Sequence, residues 1–289
     1  MSQENLVSVI IPAYNAGPYI EETVHSVLQQ TYTNFELIIV NDGSTDNTLE
    51  QLELLKEKHS MLQLITKTNS GVCDSRNMGF NGAKGEYITF LDADDTWDPS
   101  FLTNCISVLQ NDENTVNAVY TEVELINEKS KKLDQFIAAN TIWNASDVLS
   151  WKIGYVASMG SAVYRKSIVD KVGLFDNRLS TAADQDFHLR IAAETPIVAI
   201  AKVLFYYRIH ANNMHQNIDV MEKDHLLVFQ KAKLKNQFES NRFRRQCFSN
   251  LYKILAGSWW KEGNNKLKGI KFVIKSILIY PPIVKKYLS

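Results

Sequence analysis

Short β-branched apolar runs, each followed by a segment with helical spacing, fill the chain as far as Leu91 and leave few architectures open to it. Val7 to Ile11 is the first such run. It is ended by Pro12 and reads as a strand buried on both faces. From Tyr19 to Gln30 the residues Ile20, Val24, Val27 and Leu28 recur at helical spacing, and Phe35 to Val40 is apolar again, which completes a βαβ unit. The pattern then repeats. Leu49 to Lys58 has helical period, Leu62 to Thr66 is strand-like, Asp74 to Ala83 is helical, and Tyr87 to Leu91 is a further buried strand. Such alternation predicts an open α/β sheet that binds ligands at the carboxyl ends of its strands.

The second half is less regular. Ala118 to Ile126 and Ile197 to Tyr207 read as strands, and Ser146 to Trp151 and Ser167 to Val172 as short helices. From Met221 the period is helical until Pro281-Pro282 break it. This divides the chain into a sheet-bearing domain over 1–215 and a helical extension over 216–289. At 289 residues, with 45% hydrophobic and 22% charged side chains, the composition is globular and excludes a disordered or disulfide-scaffold protein.

A formal net charge of −1 provides no basic field for a polyanion and argues against general nucleic-acid binding. The charge is unevenly spread. From Lys261 onward seven lysines face the single acid Glu262, a local sum of +6 that leaves −7 on the rest. This tail is rich in Trp, Ile, Leu and Tyr and reads as an element lying on a membrane surface; a solvated helical face or a contact in a homodimer accounts for the same pattern. Cys73, Cys105 and Cys247 are widely spaced and suggest neither a zinc site nor a disulfide framework, which fits a reducing compartment. The first residues lack the basic and apolar stretches of a signal peptide. The longest apolar run, Ile197 to Tyr207, is broken by Lys202 and is too short to span a bilayer. The expectation is a cytoplasmic protein, peripheral at the inner face of the membrane if the tail binds there.

Polar groups cluster where strands end. Pro12, Ala13, Tyr14 and Asn15 follow the first strand, and Asn41-Asp42-Gly43-Ser44-Thr45-Asp46 follows the second. An aromatic ring there can stack on a base, and a carboxylate can accept the imide N–H of a uracil. A turn leading into a helix capped by Thr45 or Asp46 explains the second loop equally well. Neither GxGxxG nor GxxxxGK[ST] is present, so bound phosphates need a metal. Asp92-Ala93-Asp94-Asp95 supplies an oxygen-rich point suited to Mg²⁺ or Mn²⁺ bridging a diphosphate. Arg76 can pair with a phosphate or with these acids. Asp184 and Asp186 open an amphipathic helix, where acids also complement the helix dipole, and Arg208 and His210 leave a strand together, where a His is commonly structural but the two can instead meet a diphosphate and its metal.

Taken in order, VSVIIPAYN from Val7, HSVLQQTY from His25, IIVNDGSTDNT from Ile38, GVCDSRNMG from Gly71, GEYITFLDADD from Gly85 and YRIH from Tyr207 resemble glycosyltransferase family 2 over residues 5–215. The resemblance implies the GT-A fold, a Rossmann-like open twisted mixed sheet flanked by helices, and inverting transfer of a sugar from a nucleotide-sugar donor, by default a UDP-sugar. It assigns nucleotide binding to Pro12, Ala13, Tyr14, Asn15, Asp42, Arg76, Asp92 and Ala93. Asp94 and His210 become metal ligands, and Asp184 the catalytic base. Apart from the resemblance, the stretch of small residues from Ala157 to Ser161, with Ser158, Met159, Gly160 and Ser161, lies between a strand-like run and Tyr164-Arg165 and is taken as a wall for the acceptor, a saccharide or lipid-linked saccharide.

Asn41 stands where the family often has a first Asp, and the QxxRW signature of processive synthases is missing, which favours single additions. Two other readings compete. Asp92-Ala93-Asp94-Asp95-Thr96 also fits the DxDx[TV] nucleophile motif of haloacid dehalogenase phosphatases, although two βα units precede it and no Lys-then-Asp-Asp pairing follows. A non-catalytic nucleotide-sugar binder or assembly partner is the other, against which the intact Asp184, Asp94 and His210 count.

Overall fold

Uninterrupted aliphatic runs form the central strands. The structure is a computed structural model that describes residues 4–111, 116–137, 142–151, 158–211, 213, 217–263 and 265–284. Its first part is β1 (Val7–Ala13), α1 (Ile20–Leu28), β2 (Phe35–Asp42), α2 (Thr48–Lys58), β3 (Leu62–Lys67), α3 (Val72–Gly82) and β4 (Tyr87–Phe90). β5 (Thr96–Trp97), α4 (Phe101–Asn111), β6 (Ala118–Asn127), β7 (Lys132–Ile137), β8 (Ile142–Trp143), α5 (Ala145–Ser150), β9 (Ala162–Arg165), α6 (Lys166–Val172), α7 (Ala183–Glu194) and β10 (Ile197–Ile209) follow. Three helices, α8 (Ile218–Leu234), α9 (Asn241–Lys261) and α10 (Lys266–Ile279), come last among the longer elements.

One mixed sheet runs in the order β3-β2-β1-β4-β9-β6-β10-β5, with β7 added to β6 and β8 to β10. β1 to β4 are mutually parallel, with Ile10 between Ile38 and Phe90 in register. β9 is antiparallel to both β4 and β6, and β6 is parallel to β10. β10 therefore runs the same way as β1, β2 and β4, and all four end on one edge.

Alternating side chains of these strands enter two cores, one on each face of the sheet. Val9, Ile11 and Ile39 pack with α1, α2 and α4, whereas Ile10, Ile88 and Phe90 pack with α3 and α7. Leu251, Leu255 and Trp259 of α9 and Phe229 of α8 join this second core, so the C-terminal helices are packed on the sheet-bearing part. The division expected at 215 falls outside the described residues. α4 escaped the sequence reading although Phe101, Leu102, Cys105, Ile106 and Leu109 mark a buried helical face. β5 and β8 are two residues long and leave no periodic trace. The three cysteines are buried free thiols, and burial pushes those of Cys73 and Cys247 up to about 12.

Candidate active site

Because β1, β2, β4 and β10 share their direction, the loops after them meet over one edge of the sheet. There they enclose a cleft of about 980 Å³. Pro12, Ala13, Tyr14, Asn15, Asp42, Arg76, Asp92, Ala93, Asp94, Ser158, Asp184 and His210 all line it.

The first two loops hold each other. Asn15, in the left-handed region at φ 49°, donates from its N–H to Ser44 Oγ at 3.0 Å and accepts from the Thr45 N–H at 2.8 Å. Asp46 accepts from the Thr48 N–H at 3.0 Å and from the Gly17 N–H at 3.0 Å. The turn holds, but the cap residue of α2 is Asn47 rather than Thr45 or Asp46, and Asp46 acts from the position before it, while Asp42 faces the cleft. Gly43 makes the turn at φ 68°, where a Cβ would come within 2.8 Å of the Asn69 backbone nitrogen. Asp42 is occupied: its carboxylate accepts from the Ser70 and Gly71 N–H groups, each at 2.9 Å, and pairs with Lys67. In this structure it latches the loop after β3, and the half-exposed Tyr14 ring is the freer surface for a flat ligand.

Arg76 is buried at 2% exposure. Gly79, whose Cβ would strike Ile10 Cγ2 at 2.4 Å, lets α3 lie close against β1 and so brings Arg76 to the strand ends. Its guanidinium donates to Asp92 Oδ1 and to Asp184 Oδ1, both at 2.7 Å. Burial opposes its charge, but the two carboxylates outweigh burial and hold it above the usual guanidinium range. Asp184 Oδ2 faces the Met159 backbone N–H at 3.4 Å. Burial, with Asp184 and Asp94 adding to it, raises Asp92 despite Arg76.

Asp94 Oδ2 and His210 Nε2 stand 2.8 Å apart. Two neighbouring ligands of one octahedral ion stand about 3 Å apart, so a divalent ion of Mg²⁺ or Mn²⁺ size can take both with little movement. Among the described residues no group of three or more His, Cys, Asp or Glu is placed to hold a metal, which leaves the remaining positions to phosphate and water. Among the described residues the cleft lining includes no Lys and no Arg besides Arg76. The described lining thus presents carboxylates and an arginine already paired twice. Behind the pair, Asp95 is fully buried, and burial together with Asp94 and Asp92 lifts its carboxyl well above the usual range.

Two expectations need correction. Arg208 does not reach the cleft. Fully buried, it donates to the Asp94 carbonyl at 2.6 Å, Ser130 Oγ at 2.9 Å and Glu22 at 2.8 Å, so it braces the acidic loop from behind. Of the acceptor wall, only Ser158 lines the cleft. Met159 and Ser161 have 0% exposure, and Gly160 is pressed against Phe205 and accepts from Trp97 Nε1 at 2.6 Å. A 3-10 turn over Met159–Ser161 tucks these small residues into the core, leaving only the Met159 N–H directed at Asp184. Ala157 lies outside the described residues.

Gln185, Trp151, Met221 and His225 line the cleft and were missed. Gln185 carried a signal, since it follows Asp184 in the first turn of α7. Trp151, Met221 and His225 carried none, because they reach the cleft from α5 and α8 through tertiary packing. Asp224 of α8 accepts from the Ser180 and Thr181 N–H groups at 2.7 and 2.9 Å and fixes the turn into α7.

Residues 8–173, more than half of the chain, match the family model described as Glycosyl transferase family 2. The chain belongs to glycosyl transferase family 2. This membership displaces the phosphatase reading of the Asp92 to Thr96 motif. Among curated relatives, a chondroitin synthase of Pasteurella multocida is 30% identical over 93% of this chain and 28% of its own length. An uncharacterized glycosyltransferase of Nostoc sp. is 32% identical over 73% of the chain and 67% of its own length. The chain spans only about a quarter to a third of the first curated relatives it matches. Two solved structures are alike in fold: S. aureus TarS 1-349 in complex with UDP (19% identity, TM-score 0.60, 97% of this chain and 90% of that one), and the mannosyltransferase PcManGT of Pyrobaculum calidifontis in complex with GDP-Man and Mn2+ (20%, TM-score 0.63, 96% and 75%). The GT-A fold implied by the sequence is the fold observed.

Proposed function

We propose that this family 2 chain is an inverting, metal-dependent glycosyltransferase that moves a sugar, hexosyl or N-acetylhexosaminyl, from a UDP-sugar to a hydroxyl of a saccharide or lipid-linked saccharide acceptor in surface glycan synthesis. The observation that carries it is the convergence of Asp94, His210, Arg76 and Asp184 in one cleft whose described lining residues offer a diphosphate no unpaired cation. That TarS is bound to UDP and to UDP-GlcNAc in solved structures, and PcManGT to GDP-Man and Mn2+, supports the donor class.

In this reading Pro12 to Asn15 and Asp42 receive the base, with Tyr14 stacking on it, and Asp92 and Ala93 lie beneath the ribose and phosphates. Arg76 binds no phosphate; it orients Asp92 and Asp184. Asp94 and His210 hold Mn²⁺ or Mg²⁺, which supplies charge stabilisation for the leaving diphosphate. Asp184 accepts the proton of the acceptor hydroxyl as that oxygen bonds to the sugar C1. The bond from C1 to the diphosphate oxygen breaks, and its electron pair leaves with the nucleotide. The Met159 N–H and Arg76 keep the carboxylate in a single orientation for this transfer. Asp184→Asn tests the assignment: UDP binding is retained and transfer is lost. Full transfer by that variant removes Asp184 from the role.

Among the described residues no helix is long and apolar enough to cross a membrane. α10 instead exposes Leu267 (75%), Ile270, Ile274 and Leu278 (73%) at spacings of three, four and four, beside exposed Lys266, Lys271 and Lys275. An apolar helical stripe flanked by lysines fits the surface of an anionic bilayer, on its cytoplasmic side in this reading, where a lipid-linked acceptor would lie.

A further inference from the structure

Beside Asp184 the cleft wall changes character. Gln185 is 2% exposed and lines the cleft, yet neither its amide oxygen nor its amide nitrogen has a hydrogen-bond partner. His225, which lines the same cleft, is 8% exposed and its Nδ1 is unpartnered. Trp151 packs edge-on against His225 at 5.1 Å between ring centroids, and its indole N–H is unpartnered as well. Trp151 also ends α5 at φ 53°, a left-handed conformation that a bulky side chain adopts only where its surroundings demand it. Four orphaned polar atoms in one stretch of wall are unusual, because buried polar groups in folded proteins are nearly always paired. Asp224, the neighbour of His225 on α8, fixes the turn into α7, which carries Gln185, through the Ser180 and Thr181 N–H groups.

The chemistry of the cluster selects its occupant. An amide both donates and accepts, an imidazole nitrogen does either, and an indole N–H donates beside a flat apolar face. Among the described lining residues no Lys or Arg apart from Arg76 stands to receive an anion here, and Arg76 is already paired with two carboxylates. A neutral ring carrying several hydroxyls, each able to donate and accept, satisfies all of these groups once the side-chain termini turn into the cleft; an ionised phosphate only accepts and leaves the Gln185 amide oxygen unpaired. We infer that Gln185, His225 and Trp151 form the subsite for the acceptor's terminal sugar, holding its ring against Trp151 and its hydroxyls against the amide and imidazole, next to the base. The inference rests on the glycosyltransferase reading and extends it to residues that reading does not assign.

The test uses the full chain with Mn²⁺ and UDP, and as probes the p-nitrophenyl β-glycosides of glucose, galactose, N-acetylglucosamine and glucuronic acid. Affinity for each is measured by saturation-transfer NMR on the unmodified chain and on Gln185→Met and His225→Phe. At least one glycoside binds the unmodified chain and weakens at least tenfold in both variants, while UDP affinity by calorimetry stays within twofold. The thermal midpoint holds or rises, since each substitution removes an unpaired group. If one variant fails to fold, the other decides. Glycoside affinity unchanged in a folded variant, or no glycoside bound by the unmodified chain, overturns the subsite. A parallel fall in UDP affinity assigns the groups to the donor and overturns it equally. Failure of the unmodified chain to bind UDP is a separate result that removes the glycosyltransferase reading itself.

Discussion

The two ends of the cleft differ in which polar atoms they pair: at the strand-edge end the charged termini are matched and, among the described residues, only Arg76 Nε, Asn41 Nδ2 and Asp95 Oδ2 are left over. At the strand-edge end, Asp42 is tied to Ser70, Gly71 and Lys67, Asp46 to Gly17 and Thr48, and Arg76 to two carboxylates. At the α7 and α8 end, Gln185, Trp151 and His225 leave polar atoms unpaired. A network whose charged termini are mostly paired with one another, as at this closed end, is largely preorganised before any ligand arrives. An unpaired buried group costs about 1–3 kcal/mol until something satisfies it. The difference is that between a site built to hold charge in fixed positions and one that gains stability only on filling.

Substitutions at the closed end therefore carry the largest effects. Asp184→Asn should reduce transfer about 10²–10⁴-fold in a donor-turnover assay, the range that base catalysis supplies, with UDP affinity within twofold. Arg76→Met leaves Asp92 and Asp184 without their shared cation. Breaking a buried ion pair on one side costs about 3–5 kcal/mol, which urea unfolding at neutral pH would register.

At the open end the expected effect depends on pH. Burial holds His225, and likewise His188 in the adjoining core, down to about 4 from an ordinary value of 6.5. Both are neutral when folded, and the unfolded chain takes up their protons first as the medium is acidified. Stability is full above pH 6.5 and is lost as pH falls toward 4, by about 3 kcal/mol for each group. Urea midpoints measured from pH 7 to pH 4 check this, and His225→Phe should remove roughly half of the slope.

The smallest effect lies outside the cleft. Ile274→Glu with Leu278→Glu on the exposed face of α10 should change stability by less than about 0.5 kcal/mol. The same pair should abolish flotation with phosphatidylglycerol vesicles. Unchanged flotation clears α10 of the membrane role, and a loss of dimer in sedimentation assigns the stripe to a second copy instead.

The closed end was legible in the sequence because local rules write it. Strands β1, β2 and β4 announce themselves as β-branched runs, and the polar residues that follow them must stand at one edge of a parallel sheet. His210 was legible for the same reason once β10 is seen to run parallel to β4. The roles within that edge were less so. That Arg76 would be spent on Asp92 and Asp184, and Arg208 on the back of the acidic loop, depends on which side chains meet across 16 to 186 residues of sequence. The open end was almost illegible. Met159 to Ser161 look like a wall of small residues and are core, while Trp151 and His225 look like core and line the cleft. Their placement comes from the packing of α5 and α8 against α7, which no local period encodes.

The central claim is that the cleft binds a nucleoside diphosphate through a cation held by Asp94 and His210. Calorimetric titration of UDP, and of GDP and dTDP in parallel, into the unmodified chain and Asp94→Ala, each with Mn²⁺ and with EDTA, tests it directly. The account predicts binding of one nucleotide, UDP by preference, that requires Mn²⁺ and weakens at least tenfold in Asp94→Ala. Equal binding with Mn²⁺ and EDTA, or an Asp94→Ala variant that binds as well as the unmodified chain, contradicts it.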